Sequence, residues 1–179
     1  MKATFIYSPK EHLKPVNLSG ISAKQIDEHW KLYVGYVDQV NKLNNRRNYG
    51  FEFNGMVLHE YYFENLKNGI VLKDGKLKKT IVEQWGSFEA WKEDFIDAGK
   101  SRGIGWAILY LDSSTGNLIN HFVISHENGN IAEFTPILVM DVWEHAYMVD
   151  HGATERAAYI NAFLNNVDWG VVERRYEEA

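Results

Sequence analysis

The hydrophobic period of the chain changes from that of a helix to that of a strand near residue 105, and this change is the strongest constraint on the fold. Before it, apolar residues recur every three or four positions, as they do on one face of an α-helix. After it, residues 105–112 and 118–124 are short apolar runs rich in Ile, Val and aromatic residues, joined by a turn that ends at Gly116. Such runs predict a β-hairpin. The sequence therefore predicts an α+β fold, with helices first and a small antiparallel sheet later.

Two helices are predicted in the first part of the chain. The longer one covers residues 23–44, and Ser22 with Gln25 three positions later is typical of a capping box at its start. Asparagines in residues 44–50 are expected to break this helix. A second helix is predicted over residues 54–66.

Residues 67–79 are rich in lysine and contain two Asn-Gly or Asp-Gly pairs, which predicts a solvated linker. We therefore expect a domain boundary there, with residues 1–75 forming a helical domain and residues 76–179 a mixed α+β domain. Ser87 is the predicted N-cap of a helix that follows it. The remaining predictions are a third strand at 137–141 and helices at 80–85, 88–99, 153–164 and 169–176.

Composition excludes several classes of function. The net charge of −5 and the scattered basic residues argue against a nucleic-acid partner. The sequence shows neither a signal peptide nor an apolar run of membrane length, so we expect a cytoplasmic protein without a membrane partner. It has no cysteine. Any metal site must then use nitrogen and oxygen ligands, which suits iron, manganese or zinc.

Three histidines and one aspartate are candidate metal ligands. His29 and His59 lie in the two predicted N-terminal helices. Asp141 and His145 are four residues apart, and on a helical turn this spacing places two side chains on the same side. On spacing alone the question stays open, because a single histidine in an amphipathic helix is more often a core or surface residue than a ligand.

The segment from Asp141 to Tyr147, Asp-Val-Trp-Glu-His-Ala-Tyr, resembles the signature of the iron/manganese superoxide dismutases. Residues 53–55 followed by His59 also resemble this family, and the similarity extends from about residue 20 to the end. The resemblance implies an N-terminal antiparallel helical hairpin, followed by a three-stranded antiparallel sheet flanked by helices. It also implies one iron ion per subunit, with manganese possible, held between the two parts by His29, His59, Asp141 and His145.

The resemblance implies roles for further residues. His126 would hydrogen-bond the metal-bound solvent, where many members use Gln; the alternative is a histidine in a surface loop. Trp106 and Trp143 would line the pocket, and Tyr33 replaces a histidine common in the family. Glu144 would bridge to the last histidine ligand of a second subunit, which implies a homodimer, with a tetramer possible. The implied reaction is the conversion of superoxide anion to O₂ and H₂O₂.

Tyr36 departs from the family pattern. A gateway tyrosine usually follows the first ligand by eight residues, whereas Tyr36 follows His29 by seven. Either the helix changes its winding locally, for example in a π-bulge, and Tyr36 reaches the site, or the gateway is remodelled.

Two other functions compete with the dismutase: a non-catalytic dismutase-like protein for metal binding or interaction, and a different mononuclear iron enzyme. The third histidine argues against the latter, which typically uses two histidines and one carboxylate.

Overall fold

The predicted α+β architecture is confirmed. The structure is a computed structural model that describes residues 6–42, 49–128 and 131–179. Within these ranges it has six α-helices, with a three-stranded sheet between the fourth and the fifth. In chain order the elements are α1 (Ala23–Lys42), α2 (Tyr49–Glu64), α3 (Lys76–Trp85), α4 (Phe88–Gly99), β1 (Trp106–Asp112), β2 (Asn117–Val123), β3 (Phe134–Asp141), α5 (Arg156–Asn165) and α6 (Trp169–Glu178).

Helices α1 and α2 pack against each other in opposite directions. Tyr36, late in α1, contacts Phe51 at the start of α2, with ring centroids 6.0 Å apart. His29, early in α1, contacts Phe63 at the end of α2, at 5.0 Å. The N-terminal helices therefore form the antiparallel hairpin that the resemblance implies.

The sheet has the order β2-β1-β3, and both pairings are antiparallel. The turn between β1 and β2 ends at Gly116, whose φ of 75° is the left-handed conformation that glycine adopts without strain. β1 is the central strand, and its register places Trp106 opposite both Val123 and Asp141. The sheet thus brings the ring of Trp106 to the end of the strand that carries Asp141.

Asn65, immediately after α2, joins the helical hairpin to the sheet. Its amide nitrogen donates to the carbonyl oxygen of Val139 on β3 at 3.1 Å, and its amide oxygen accepts from the Val139 N–H at 3.2 Å. The same oxygen accepts from Arg175 of α6 at 3.0 Å. Because all three residues are buried, these bonds fix α2 relative to β3 in a place where water cannot substitute for them.

Several predicted boundaries are wrong by a few residues. α2 begins at Tyr49 rather than at residue 54, so part of the predicted break at 44–50 is helical; its residues 44–48 lie outside the described ranges. α3 begins at Lys76, inside the predicted linker. Its N-terminus is capped from a distance, because Glu173 of α6 accepts from the N–H of Leu77 at 3.2 Å. A bond to a residue so far along the chain leaves no local sequence signal.

Ser87 caps α4 as predicted, accepting from the Ala90 N–H at 3.0 Å. The predicted capping box at α1 is only half correct. Ser22 Oγ accepts from the Gln25 N–H at 3.0 Å, but the Gln25 side chain does not return to Ser22. Among the helices of the described ranges, none combines the length and apolar character required to span a membrane.

Candidate metal centre

The four residues implied as ligands meet at one point, where the helical hairpin faces the end of β3. One potential ligand atom from each lies within 4.8 Å of the others. Asp141 Oδ2 is at the centre of the group, 3.0 Å from His29 Nε2, 3.0 Å from His145 Nε2 and 3.7 Å from His59 Nε2. Ligand atoms that each lie about 2.0–2.2 Å from one ion are separated by distances of this order.

The hydrogen bonds of His59 show that this cluster fits a metal ion. His59 Nδ1 lies 2.6 Å from the carbonyl oxygen of Gly55, which can only accept, so Nδ1 carries the proton. Nε2 then presents its lone pair to the cluster, and it is fully buried with no hydrogen-bond partner in the described part of the chain. An unpaired acceptor in a buried site is costly. An ion at this point would satisfy it.

The protonation states also suit a metal. Burial lowers the pKa of His29, and it lowers that of His59 well below its ordinary value, so both imidazoles are neutral. Burial acts to raise the pKa of Asp141, but the facing rings of His145 and His29 outweigh it and hold that pKa well below the ordinary range. Neutral imidazole and ionised carboxylate are the forms that bind metals.

Asp141 and His145 converge, although they do not lie on one turn of a helix. Asp141 is the last residue of β3, and His145 lies in a short 3₁₀ turn, Glu144–Ala146. Between them, the Trp143 N–H donates to Asp141 Oδ1 at 2.8 Å. This bond occupies one carboxylate oxygen and leaves Oδ2 to face the three histidines.

Aromatic rings enclose the cluster. Trp106 contacts His59 edge-on at 5.1 Å, and Trp143 stacks on His145 at 5.7 Å. Phe63 packs 5.0 Å from His29. The indole N–H groups of Trp106 and Trp143 are both buried with no acceptor among the described residues. Trp106 and Trp143 therefore lie in the pocket, where the resemblance places them, with two donors free for a ligand.

His126 is buried in this pocket, so it is not a surface-loop histidine. It is 0% exposed, and both ring nitrogens lack a hydrogen-bond partner within the described residues. Gly55 makes room for it, since a Cβ there would lie only 2.8 Å from His126 Nδ1 and from two Tyr36 ring atoms. The glycine of α2 thus lets His126 and Tyr36 approach each other.

Tyr36 also reaches the pocket, but without the predicted change of winding. Its ring lies 5.1 Å from both His59 and His126, although α1 is a continuous α-helix from Ala23 to Lys42. The reason is geometric. Seven residues at about 100° each complete nearly two full turns, so Tyr36 shares a face with His29. A π-bulge is not needed.

Tyr33 lies behind His59 and its hydroxyl group is bonded away from the cluster. The two rings stack with centroids 6.5 Å apart. The Tyr33 hydroxyl donates to Glu60 Oε1 and accepts from the Lys10 N–H, both at 3.0 Å. Tyr33 therefore supports the ring of His59 and ties α1 to the segment before it.

Two residues next to the ligands were missed from sequence. The hydroxyl of Tyr159, on α5, donates to the Asp141 carbonyl oxygen at 2.7 Å. The side chain of Gln25 bonds the backbone of His145 at 2.7 Å. Tyr159 carries no local signal, because it looks like any buried residue of an amphipathic helix. Gln25 did stand out, but as a helix cap.

Comparison with known proteins agrees with this geometry. Residues 73–175 match the family model described as iron/manganese superoxide dismutases, C-terminal domain. An iron superoxide dismutase of Aquifex aeolicus is 36% identical, with 96% of this chain and 91% of that protein covered. An iron superoxide dismutase of Cupriavidus metallidurans is 33% identical over 93% of each chain. A manganese superoxide dismutase of Haloferax volcanii is 39% identical, with 74% of this chain and 66% of that protein covered.

The family model matches more than half of the chain, and the Aquifex and Cupriavidus relatives exceed 30% identity over nearly all of it. The four candidate ligands, two of which lie in the 141–147 segment, form one group that could hold a metal ion. The chain belongs to the iron/manganese superoxide dismutase family.

Proposed function

We propose that the protein is a superoxide dismutase. When bound, a single iron or manganese ion supplies one-electron oxidation and reduction, which together convert two superoxide anions and two protons to O₂ and H₂O₂. The observation that carries this proposal is the largely buried cluster of three histidines and one aspartate, in which the His59 Nε2 lone pair has no partner among the described residues. Relatives named for iron and for manganese support both metals, and iron is our first choice.

The proposed ligands are His29, His59, Asp141 and His145. Three neutral imidazoles and one carboxylate contribute a total charge of −1. A divalent ion would leave the site at +1 and a trivalent ion at +2, so both oxidation states are tolerable in the same pocket. All four ligand atoms come from nitrogen and oxygen, the donor types that suit iron and manganese.

His126 and Tyr36 are the proposed residues for proton delivery and substrate approach. Burial raises the pKa of Tyr36 to about 12, so its hydroxyl keeps its proton near neutral pH and can donate a hydrogen bond. Burial lowers the pKa of His126, which favours a neutral ring with one donor and one acceptor. Trp106 and Trp143 restrict water around the ligands and present two further N–H donors.

We also propose a homodimer. Glu144 is exposed on the turn next to His145, and Met148 and Val149 just after it are 47% and 39% exposed. An acidic group beside partly exposed apolar side chains supports an interface in which Glu144 of one subunit approaches His145 of the other. Sedimentation would separate a dimer from a tetramer.

The division of the chain into two domains between residues 75 and 76 and the cytoplasmic location stay predictions.

The first test is superoxide dismutation per bound metal, on protein reconstituted separately with iron and with manganese. Fast turnover in either form is the expected result, and the ratio of the two rates would identify the preferred metal. Metal bound at one ion per chain with no turnover in either form would contradict the enzyme and favour the non-catalytic metal-binding alternative.

A further inference from the structure

The side chain of Gln25 connects two ligand-bearing segments that are far apart in sequence. Its amide nitrogen donates to the carbonyl oxygen of His145 at 2.7 Å, and its amide oxygen accepts from the N–H of Val149 at 2.9 Å. Gln25 is 1% exposed and lies one helical turn before His29 on α1. A single buried amide thus bonds the backbone of one ligand and the end of the loop that follows it.

These two bonds take the place of the bond that the Gln25 side chain would make in a capping box. In a capping box the Gln25 side chain would accept from the N–H of Ser22. Here Asp150 Oδ2 accepts from that N–H instead, at 2.6 Å. Asp150 comes from the same loop as His145, so the loop caps α1 while α1 holds the loop. The exchange frees both polar atoms of Gln25 for bonds to residues 145 and 149.

His145 needs such an anchor more than the other three ligands do. The side chains of His29, His59 and Asp141 are 0% exposed, whereas that of His145 is 21% exposed. His145 also lies on a 3₁₀ turn of three residues, which fixes a side chain less firmly than a long helix or a paired strand. Its position therefore depends on what holds its backbone.

We infer that Gln25 is a positioning residue for His145: by bonding the carbonyl of His145 and the N–H of Val149 it fixes the distance between this ligand and the helix that carries His29. The inference rests on the proposed metal site, but not on the rate of dismutation. It would apply equally to a chain that binds the metal without turnover.

The test compares Gln25→Met with Asn166→Ala in metal-loaded protein. Methionine keeps the length and flexibility of glutamine but can form neither bond. Asn166 is a matched control, because it is also a buried amide with three hydrogen bonds, to the N–H and the carbonyl of Ser19 and to the carbonyl of Ala162. It ties the segment before α1 to α5 and makes no bond to residues 143–149.

We expect Gln25→Met to release the metal to a chelator about 10-fold faster, since loss of a residue that holds a ligand in place lowers metal affinity by at least about this factor. The electron paramagnetic resonance spectrum of the iron(III) form should change as well, because it reports ligand geometry directly. Asn166→Ala should lower the thermal stability and leave both metal readouts at their wild-type values.

Gln25→Glu separates the two bonds. A carboxylate can still accept from the Val149 N–H, but it faces the His145 carbonyl with a second oxygen. We expect it to release the metal at least as fast as Gln25→Met. The inference is overturned if the Gln25 variants keep the wild-type spectrum and release rate, or if Asn166→Ala changes them equally. Failure of wild-type protein to bind either metal would instead overturn the proposed site.

Discussion

The two halves of the candidate metal centre hold the four proposed ligands by different means. His29 and His59 lie inside long helices, where rings such as Phe63 pack around them and one backbone carbonyl fixes the tautomer of His59. Asp141 and His145 lie where a strand ends and a short turn follows. Hydrogen bonds from Trp143, Tyr159 and Gln25 hold them in place. The helical side is thus held mainly by packing, and the strand side by hydrogen bonds from one neighbouring and two more distant residues.

Removing a proposed ligand should have the largest effect, because neither half of the centre can bind the metal alone. We expect His59→Ala to weaken metal binding by more than about 100-fold, beyond the range for residues that only support a ligand. Metal content after dialysis and dismutation per chain would measure it. His121→Ala is the control, because His121 is an exposed histidine on β2. Unchanged metal content in His59→Ala would show that the ligand set is wrong.

On the strand side, Tyr159→Phe should weaken metal binding by about 10-fold, because it removes the donor to the Asp141 carbonyl. Leaving a buried carbonyl without its partner should also lower the free energy of unfolding by about 1–3 kcal/mol. Urea denaturation and chelator competition would measure the two effects. Tyr176→Phe is matched, since its hydroxyl lies 2.8 Å from Thr80 Oγ1, away from the cluster. An equal change of metal affinity in both variants would count against the role of Tyr159.

On the helical side, Gly55→Ala should lower the free energy of unfolding by about 1–3 kcal/mol, the usual cost of overpacking a core. The added Cβ would lie 2.8 Å from His126 Nδ1 and from the ring of Tyr36, so one of them must move. Gly35→Ala on α1 has open space around its Cβ and should stabilise the helix by about 1 kcal/mol. If Gly55→Ala and Gly35→Ala changed the free energy of unfolding in the same direction, crowding of His126 and Tyr36 at Gly55 would not explain the effect.

Ser87→Ala lies away from both halves and should have the smallest effect. Loss of the cap on α4 should lower the free energy of unfolding by about 1 kcal/mol. Metal affinity should not change, because α4 contributes no ligand. Chelator competition alongside urea denaturation would check both statements. A change in metal affinity in Ser87→Ala would mean that a general loss of stability is enough to weaken metal binding. The effects of the variants above on metal binding could then not be assigned to the contacts that they remove.

The success of the sequence predictions follows the same division. The helical side was predictable because the period of apolar residues defines a buried face of α1 that includes His29. The strand side was predictable only as a motif. Its seven residues resemble the family signature, but the spacing of Asp141 and His145 alone did not show how the end of a strand and a 3₁₀ turn bring the two side chains together.

The sequence by itself determined the order of helices and strands and the nitrogen and oxygen chemistry of any metal site, through local periodicity and the lack of cysteine. The four candidate ligands came from the resemblance to the family, because spacing alone left them open. Only the tertiary structure decided that His126 is buried and that the ring of Tyr36 enters the pocket next to Gly55, where a Cβ would collide with it. It alone also showed that Gln25 holds the loop of His145. The physical reason is distance along the chain: a contact across 120 residues depends on how separate elements pack, and no local pattern encodes it.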